Sequence, residues 1–244
     1  MSGADVSATE RAADLRDGIR DILPAAIAAV PIGFLFGAVA SSKGLSVAEV
    51  ALMSATVCAG GAQLAVIEIW GYPVPVAAIL FATLLVNLRH VLMGASLAPK
   101  LGLFRPWQRG LTFYALTDEN WAFAERRVAA GRRLGPAYFG VMGALLWSNW
   151  VLCSTLGAAL GPLLGDPRRL GADFAFTALF IGLIAGLWRG RSTGFVVAAS
   201  ALAAAAAYRV FGSPWHVAAG AFAGIAAGAL APRAPAAIKE DAAR

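Results

Sequence analysis

The stretch Val74–Pro99 is apolar except at Asn87-Leu88-Arg89-His90. An arginine at the middle of a membrane span costs about 2.5–3.5 kcal/mol on insertion scales, so it pairs with an acid or faces a wet cavity. Its guanidinium can hold a carboxylate through two parallel hydrogen bonds. Asn87 adds a donor and an acceptor beside it. His90 can relay a proton. Two roles are open for Arg89: contact with a substrate carboxylate, or a structural lock to Asp118 or Glu119. Both hold if a substrate competes for the pair.

A second group is Cys58-Ala59-Gly60-Gly61-Ala62-Gln63, inside another apolar run. Gly60-Gly61 in mid-membrane predicts a broken helix, which presents free N–H and C=O groups to a solute. Gln63 follows the pair with a donor and an acceptor, for a solute or for a neighbouring helix. Thr117-Asp118-Glu119 suits a helix start, because a hydroxyl caps and acids favour the N-terminus. A short re-entrant piece would instead bring Asp118 and Glu119 to Arg89. Asp173, at the start of a later apolar run, is most simply a cap. Ser148 and Asn149, flanked by Trp147 and Trp150, could bond to neighbours or line a path.

These residues sit in a chain built for a bilayer. Of 244 residues 59% are hydrophobic and 14% charged, where soluble domains carry about 25% charged residues. The charge-free or nearly charge-free blocks predict spans at 22–42, 50–68, 73–98, 136–160, 173–188, 192–208 and 213–231, each near the length a helix needs to cross. They are Ala, Leu, Val and Gly blocks without alternation, so they are helices and not barrel strands. Glycines four apart, such as Gly33 and Gly37, Gly157 and Gly161, or Gly220 and Gly224, permit close helix packing. The expected architecture is an all-α bundle of about seven transmembrane helices. Its three domains are a polar arm at 1–21, a membrane domain at 22–232 and a tail at 233–244.

The connector Pro99–Gly135 carries Lys100, Arg105, Arg109, Arg126, Arg127, Arg132 and Arg133. By the positive-inside rule it is cytoplasmic, and so is the C-terminus. Seven full crossings, one of them broken, put the N-terminus outside. Six crossings with a re-entrant segment at 50–68 put it inside, and charge bias slightly favours that count. We take seven here. Pro31-Ile32-Gly33-x-x-x-Gly37 and Phe180-Ile181-Gly182-x-x-x-Gly186 suggest an inverted repeat. The chain has no P-loop, no paired metal ligands and no nucleophile–base motif, so ATP hydrolysis, a metal centre and enzymatic activity are not expected. The net charge of +6 lies between apolar blocks and does not indicate a nucleic-acid partner.

Several motifs then fall in a known order: Pro31-x-Gly33, Ala59-Gly60-Gly61-Ala62-Gln63, Asn87-Leu88-Arg89-His90, Ala95-Ser96-Leu97-Ala98-Pro99, Thr117-Asp118-Glu119 and Asp173-Phe174-Ala175-Phe176-Thr177-Ala178-Leu179-Phe180. Over about Arg16–Pro232 the chain resembles the AzlC-type branched-chain amino acid exporters, the large subunit of a two-component permease. The family pattern has an aromatic residue where Leu64 stands. The resemblance implies a multi-pass permease of the bacterial inner membrane and export of leucine, isoleucine, valine and methionine, with a small AzlD-type membrane subunit as partner. Together with the residues above, it leads to the expectation of a proton-driven secondary transporter without a cofactor, the alternative being a channel or membrane scaffold subunit for another small solute. Gly60, Gly61, Gln63, Asn87 and Arg89 would face the substrate; His90, Asp118, Glu119 and Asp173 would serve coupling or gating.

Overall fold

The computed structural model describes residues 3–164, 190–212 and 215–230, together with 181, 184, 185 and 188. All regular structure among them is helical: α1 Gly3–Ser42, α2 Val47–Thr56, α3 Gly60–Ile69, α4 Val76–Leu97, α5 Pro106–Tyr114, α6 Asp118–Ala129, α7 Pro136–Leu160, α8 Arg191–Phe211 and α9 Trp215–Leu230. Among the described residues four helices (α1, α4, α7 and α8) are long and apolar enough to cross a membrane. Asp173 and most of the expected span 173–188 lie outside the described residues, as does Gly182 of the second repeat motif.

The chain forms two compact units. The first comprises residues 1–71 and 86–173. Its spine is α1 against α7. Gly33 lies against Cys153 and Trp150, Gly37 against the Ser154 carbonyl, and Gly161 against Ala38. Partner numbers rise together along both helices, so α1 and α7 run parallel. A Cβ on Gly37 or Gly157 would collide with the facing backbone, which is why this interface needs glycine at these spacings. Asn149 Nδ2 donates to the Ala26 carbonyl at 3.0 Å and fastens the same pair.

Since α7 starts at the basic connector, so does α1. Its polar arm continues as helix without a break into the apolar part, and its acids meet the connector's arginines. Arg127 contacts Asp14 at 2.6 Å and Asp17 at 3.1 Å, Arg126 reaches Asp21 at 3.5 Å, and Arg132 and Arg133 pair with Asp17 and Glu10. Arg127 also lies 4.1 Å over the Tyr138 ring, and the Tyr138 hydroxyl donates to Asp21 at 2.6 Å. The Arg132 and Arg127 guanidiniums hold the Asp17 carboxyl below the usual carboxylate range.

The segment 50–68 does not cross. It is two ten-residue helices, α2 and α3, each about 15 Å long, half of the roughly 30 Å hydrocarbon thickness. Lys43, just before α2, donates to the carbonyls of Ile67 and Glu68 at the end of α3. Both ends of the excursion therefore lie together at the end of the unit where α1 finishes. Of the two readings the sequence left open, the re-entrant hairpin fits this arrangement, with the N-terminus at the connector's end of the unit. The break falls at Val57, Cys58 and Ala59, and Gly60-Gly61 open the second half-helix.

The connector holds a second hairpin. Phe104 shares the buried core with Tyr138 and Phe139 near the start of α7, whereas Ala115 lies against Gly143 and Tyr114 reaches Trp147 farther along it. Helix α5 thus runs inward beside α7. Helix α6 returns: Asn120 stands beside Gly143, whereas Arg127 stands over Tyr138 near the α7 start. Glu125 pairs with Lys100, three residues past the end of α4. Leu116 at the tip, with Leu97, Leu101, Phe104, Tyr138, Phe139 and Met142, forms the apolar core that seats this hairpin.

The second unit comprises residues 72–85 and 174–244. In its described part α8 and α9 pack antiparallel. Ser200 Oγ donates to the Gly220 carbonyl at 2.9 Å, and Gly224 lies against Ser200 and Val196. Tyr208 meets His216 edge-on at 5.3 Å, and Phe81 lies 5.9 Å from Trp215.

Candidate functional site

The two hairpins enter from opposite ends of the first unit and meet at their tips. Because the α2 ladder stops at Thr56, the Ala55 carbonyl has no helical donor. Trp147 Nε1 donates to it at 3.1 Å, and the Tyr114 hydroxyl from the second hairpin also donates to it. The broken backbone of one hairpin is thereby satisfied by a side chain of the other, as a buried carbonyl requires.

Arg89, on α4, stands between the tips. Its Nη1 donates to Asp118 Oδ2 at 2.5 Å. A Cβ placed on Gly61 would sit 3.1 Å from its Nη2. Arg89 therefore touches the first turn of α3 on one side and the first turn of α6 on the other. Each helix N-terminus carries roughly half a positive charge. Two such ends and a guanidinium converge, and Asp118 is the one carboxylate among the described residues that pairs with them. The α6 start is capped: Thr117 Oγ1 accepts from the Asn120 amide, and Asn120 Oδ1 accepts from the Thr117 amide. The α3 start has no side-chain cap, so its first amides remain for a ligand. Arg89 and Asp118 are 37% and 39% exposed, so the pair is reachable.

Behind this contact lies a buried polar chain. Trp150 Nε1 donates to Gln63 Oε1 at 2.6 Å, Gln63 Nε2 reaches Ser54 Oγ at 3.5 Å, and Ser154 Oγ donates to Ser54 Oγ at 2.8 Å. Gln63, Ser54 and Ser154 are all buried. Trp150 stacks on Phe36 at 6.0 Å, and a Cβ on Gly60 would sit 3.0 Å from its ring. The polar atoms of Gln63 thus point at Trp150 and Ser54, in the interhelical role that sequence left open for it.

The remaining expected site residues divide. Asn87, Arg89 and His90 share one turn of α4, and Asn87 Oδ1, Arg89 Nε and His90 Nδ1 are buried without a hydrogen-bond partner among the described residues. Glu119 is exposed beside Asp118. Ser148 bonds back to its own helix at the Ala144 carbonyl, 2.7 Å away. Sequence reasoning missed Ser54, Ser154 and Tyr114. It also missed the arm. Glu10, Asp14, Asp17 and Asp21 repeat at helical spacing on one face, and that signal was present in the sequence.

Residues 24–164, which hold the first transmembrane segment, both hairpins and α7, match the family model described as AzlC protein. The chain belongs to the AzlC family. Similar proteins support this. This AzlC chain is 30% identical over 206 residues to a protein of Archaeoglobus fulgidus named "Uncharacterized membrane protein", covering 80% of this chain and 85% of that one. It is 29% identical over 215 residues to "Inner membrane protein YgaZ" of Escherichia coli, covering 85% and 86%. A further "Uncharacterized membrane protein", of Haemophilus influenzae, is 26% identical over 165 residues, covering 66% of each. No solved structure matches. The AzlC protein described here is an all-α membrane protein, and the two hairpin tips and Arg89 lie inside the matched region.

Proposed function

We propose that this AzlC protein is a secondary transporter that exports small zwitterionic amino acids with aliphatic side chains. Leucine, isoleucine and valine are the primary substrates, and methionine shares their size and polarity. The observation that carries the proposal is Arg89 held between two mid-depth helix starts, 2.5 Å from Asp118. A substrate carboxylate takes the guanidinium from Asp118 and accepts from the open amides of Gly60 and Gly61. Glu119, exposed beside Asp118, takes the ammonium. Gln63, fixed by Trp150 and Ser54, positions the α3 start and does not touch the substrate. Asn87 supplies a further polar contact.

Exchange of partners at Arg89 links the two hairpins to occupancy. Each hairpin closes one end of the path, and release of Asp118 loosens the second against the first. Proton-motive force drives the cycle through Asp118 and His90. Asp173 belongs to the coupling path by its place in the family pattern. The basic connector faces the cytoplasm of a bacterial inner membrane, and so does the C-terminus. A small AzlD-type subunit completes the permease.

Counterflow of labelled leucine in proteoliposomes tests the proposal, with the chain alone and with its small partner. Saturable exchange competed by valine and isoleucine is expected. Flux that does not saturate would indicate a channel, and no flux of any aliphatic amino acid from folded protein would overturn the reading.

A further inference from the structure

Beside the second hairpin, on the face of α7 away from α1, lies a groove of about 420 Å3. Its walls are Phe104, Trp107, Leu111, Tyr114, Phe139 and Trp147. It runs from the connector end, at Phe104 and Pro136, up to the hairpin tip at Tyr114 and Trp147. Such walls do not suit a zwitterion, whose charges would lose water without gaining partners. They suit a hydrocarbon chain, and the volume is that of a small-ligand site.

The connector end carries the second half of the argument. Arg126, Arg127, Arg132 and Arg133 are all paired with acids of the arm. Arg105 and Arg109, which follow the groove residue Phe104 and bracket the first turn of α5, have no carboxylate partner among the described residues. Arg109 Nε donates only to the Phe104 carbonyl, at 3.1 Å. Both arginines are exposed. Trp107 beside them is 63% exposed, as an interfacial indole is. Two free cations thus stand at the surface end of an apolar groove that opens along a membrane protein.

We propose that this groove binds one anionic phospholipid, with an acyl chain against Trp107, Leu111, Phe139 and Trp147 and the headgroup phosphate at Arg105 and Arg109. Basic side chains at an anionic leaflet each contribute about a factor of five in affinity. The bound chain lies against Tyr114 and Trp147, the two side chains that hold the Ala55 carbonyl. The site is independent of what the protein transports.

Native mass spectrometry of the delipidated full chain, titrated with phosphatidylglycerol or phosphatidylcholine of the same acyl composition, tests it. The wild type should retain one phosphatidylglycerol at least tenfold more tightly than phosphatidylcholine. Gly140→Leu places a side chain in the groove from a position where an added Cβ meets nothing within 4 Å; it should abolish retention of both lipids while the chain keeps its helix content. The exposed pair R105Q/R109Q should bring the two lipids to similar affinity. No preference in the wild type would overturn the proposal. So would retention that survives Gly140→Leu, or a lipid-free dimer split by Gly140→Leu, which would assign the groove to a second copy of the chain.

Discussion

Arg89 and Asp118 join two elements that enter the first unit from opposite ends. The guanidinium on α4 touches the first turn of α3 through Gly61, and the carboxylate belongs to the first turn of α6. Their 2.5 Å contact spans 29 residues of chain and closes the gap between the hairpin tips. A membrane-buried arginine needs a counter-charge, and this one has its counter-charge on an element that can move separately.

Neutralising the acid frees the arginine without removing the helix cap, which Thr117 and Asn120 supply. Asp118→Asn should therefore lower the half-saturation concentration for leucine several-fold, because substrate no longer competes for Arg89. Maximal exchange should fall at least tenfold, because the pair that resets the hairpins is lost. Concentration dependence of counterflow reads both effects. A raised half-saturation concentration would mean that Asp118 binds substrate and does not compete with it.

Gly61 allows Arg89 to approach the α3 start. Gly61→Ala puts a methyl 3.1 Å from Nη2, the mobile end of a long side chain, so the protein should fold normally while leucine affinity falls about tenfold, a charge-assisted hydrogen bond being worth about 1.5–3 kcal/mol. Gly37→Ala differs, because its methyl would meet the Ser154 backbone. It should destabilise the α1–α7 interface by about 1–3 kcal/mol, seen as a lowered melting temperature in detergent. Equal behaviour of the two variants would contradict this division.

The arm should act as a latch. Arg127 is buried between Asp14, Asp17 and the Tyr138 ring, and Arg127→Ala should cost about 3 kcal/mol by leaving Asp14 unpaired and Asp17 with Arg132 alone. Asp17 has its carboxyl pKa lowered in the folded state. Its contribution is therefore complete above the ordinary carboxylate pKa of about 4 and is lost as pH falls through the lowered value. Hydrogen exchange over residues 8–21 should stay slow from neutral pH to about 5 and quicken only under stronger acid. Loosening near neutral pH would refute the latch.

The hairpin fixes sidedness. In a background with Cys58 and Cys153 replaced, single cysteines at Ser46 and Glu68 should react with an impermeant maleimide from the same face of the membrane. Cysteines at Arg11 and Arg132 should react from the other. Labelling of Ser46 and Glu68 from opposite faces would restore the full crossing.

Much of the site was legible in the sequence because it is costly. An arginine in an apolar run demands an acid, and Asp118 is the one the structure supplies. A glycine pair in mid-span marked the break, although the extended residues are the three at 57–59. The second hairpin was only half hidden, since Thr117-Asp118-Glu119 left open a re-entrant piece that reaches Arg89. Seven basic residues made Pro99–Gly135 look like a cytoplasmic loop, and only Leu111–Leu116 within it is apolar enough to turn inward. The sequence left the crossing count open between seven and six for a related reason. Two half-helices and one whole helix have the same composition, and only Lys43 bonded to Ile67 and Glu68 tells them apart. The serines at 54 and 154 give no sign in sequence, since a buried serine pair has no pattern of its own.

The central claim is that Arg89 reads the substrate carboxylate. The most direct measurement is leucine counterflow by Arg89→Gln at wild-type protein density, with folding checked by helix content and monodispersity. Exchange should fall at least tenfold, the loss expected for one charge-assisted contact, and Arg89→Lys should recover part of it. Full exchange by folded Arg89→Gln would show that Arg89 serves only to tie the hairpins together, and the carboxylate site would have to be sought elsewhere.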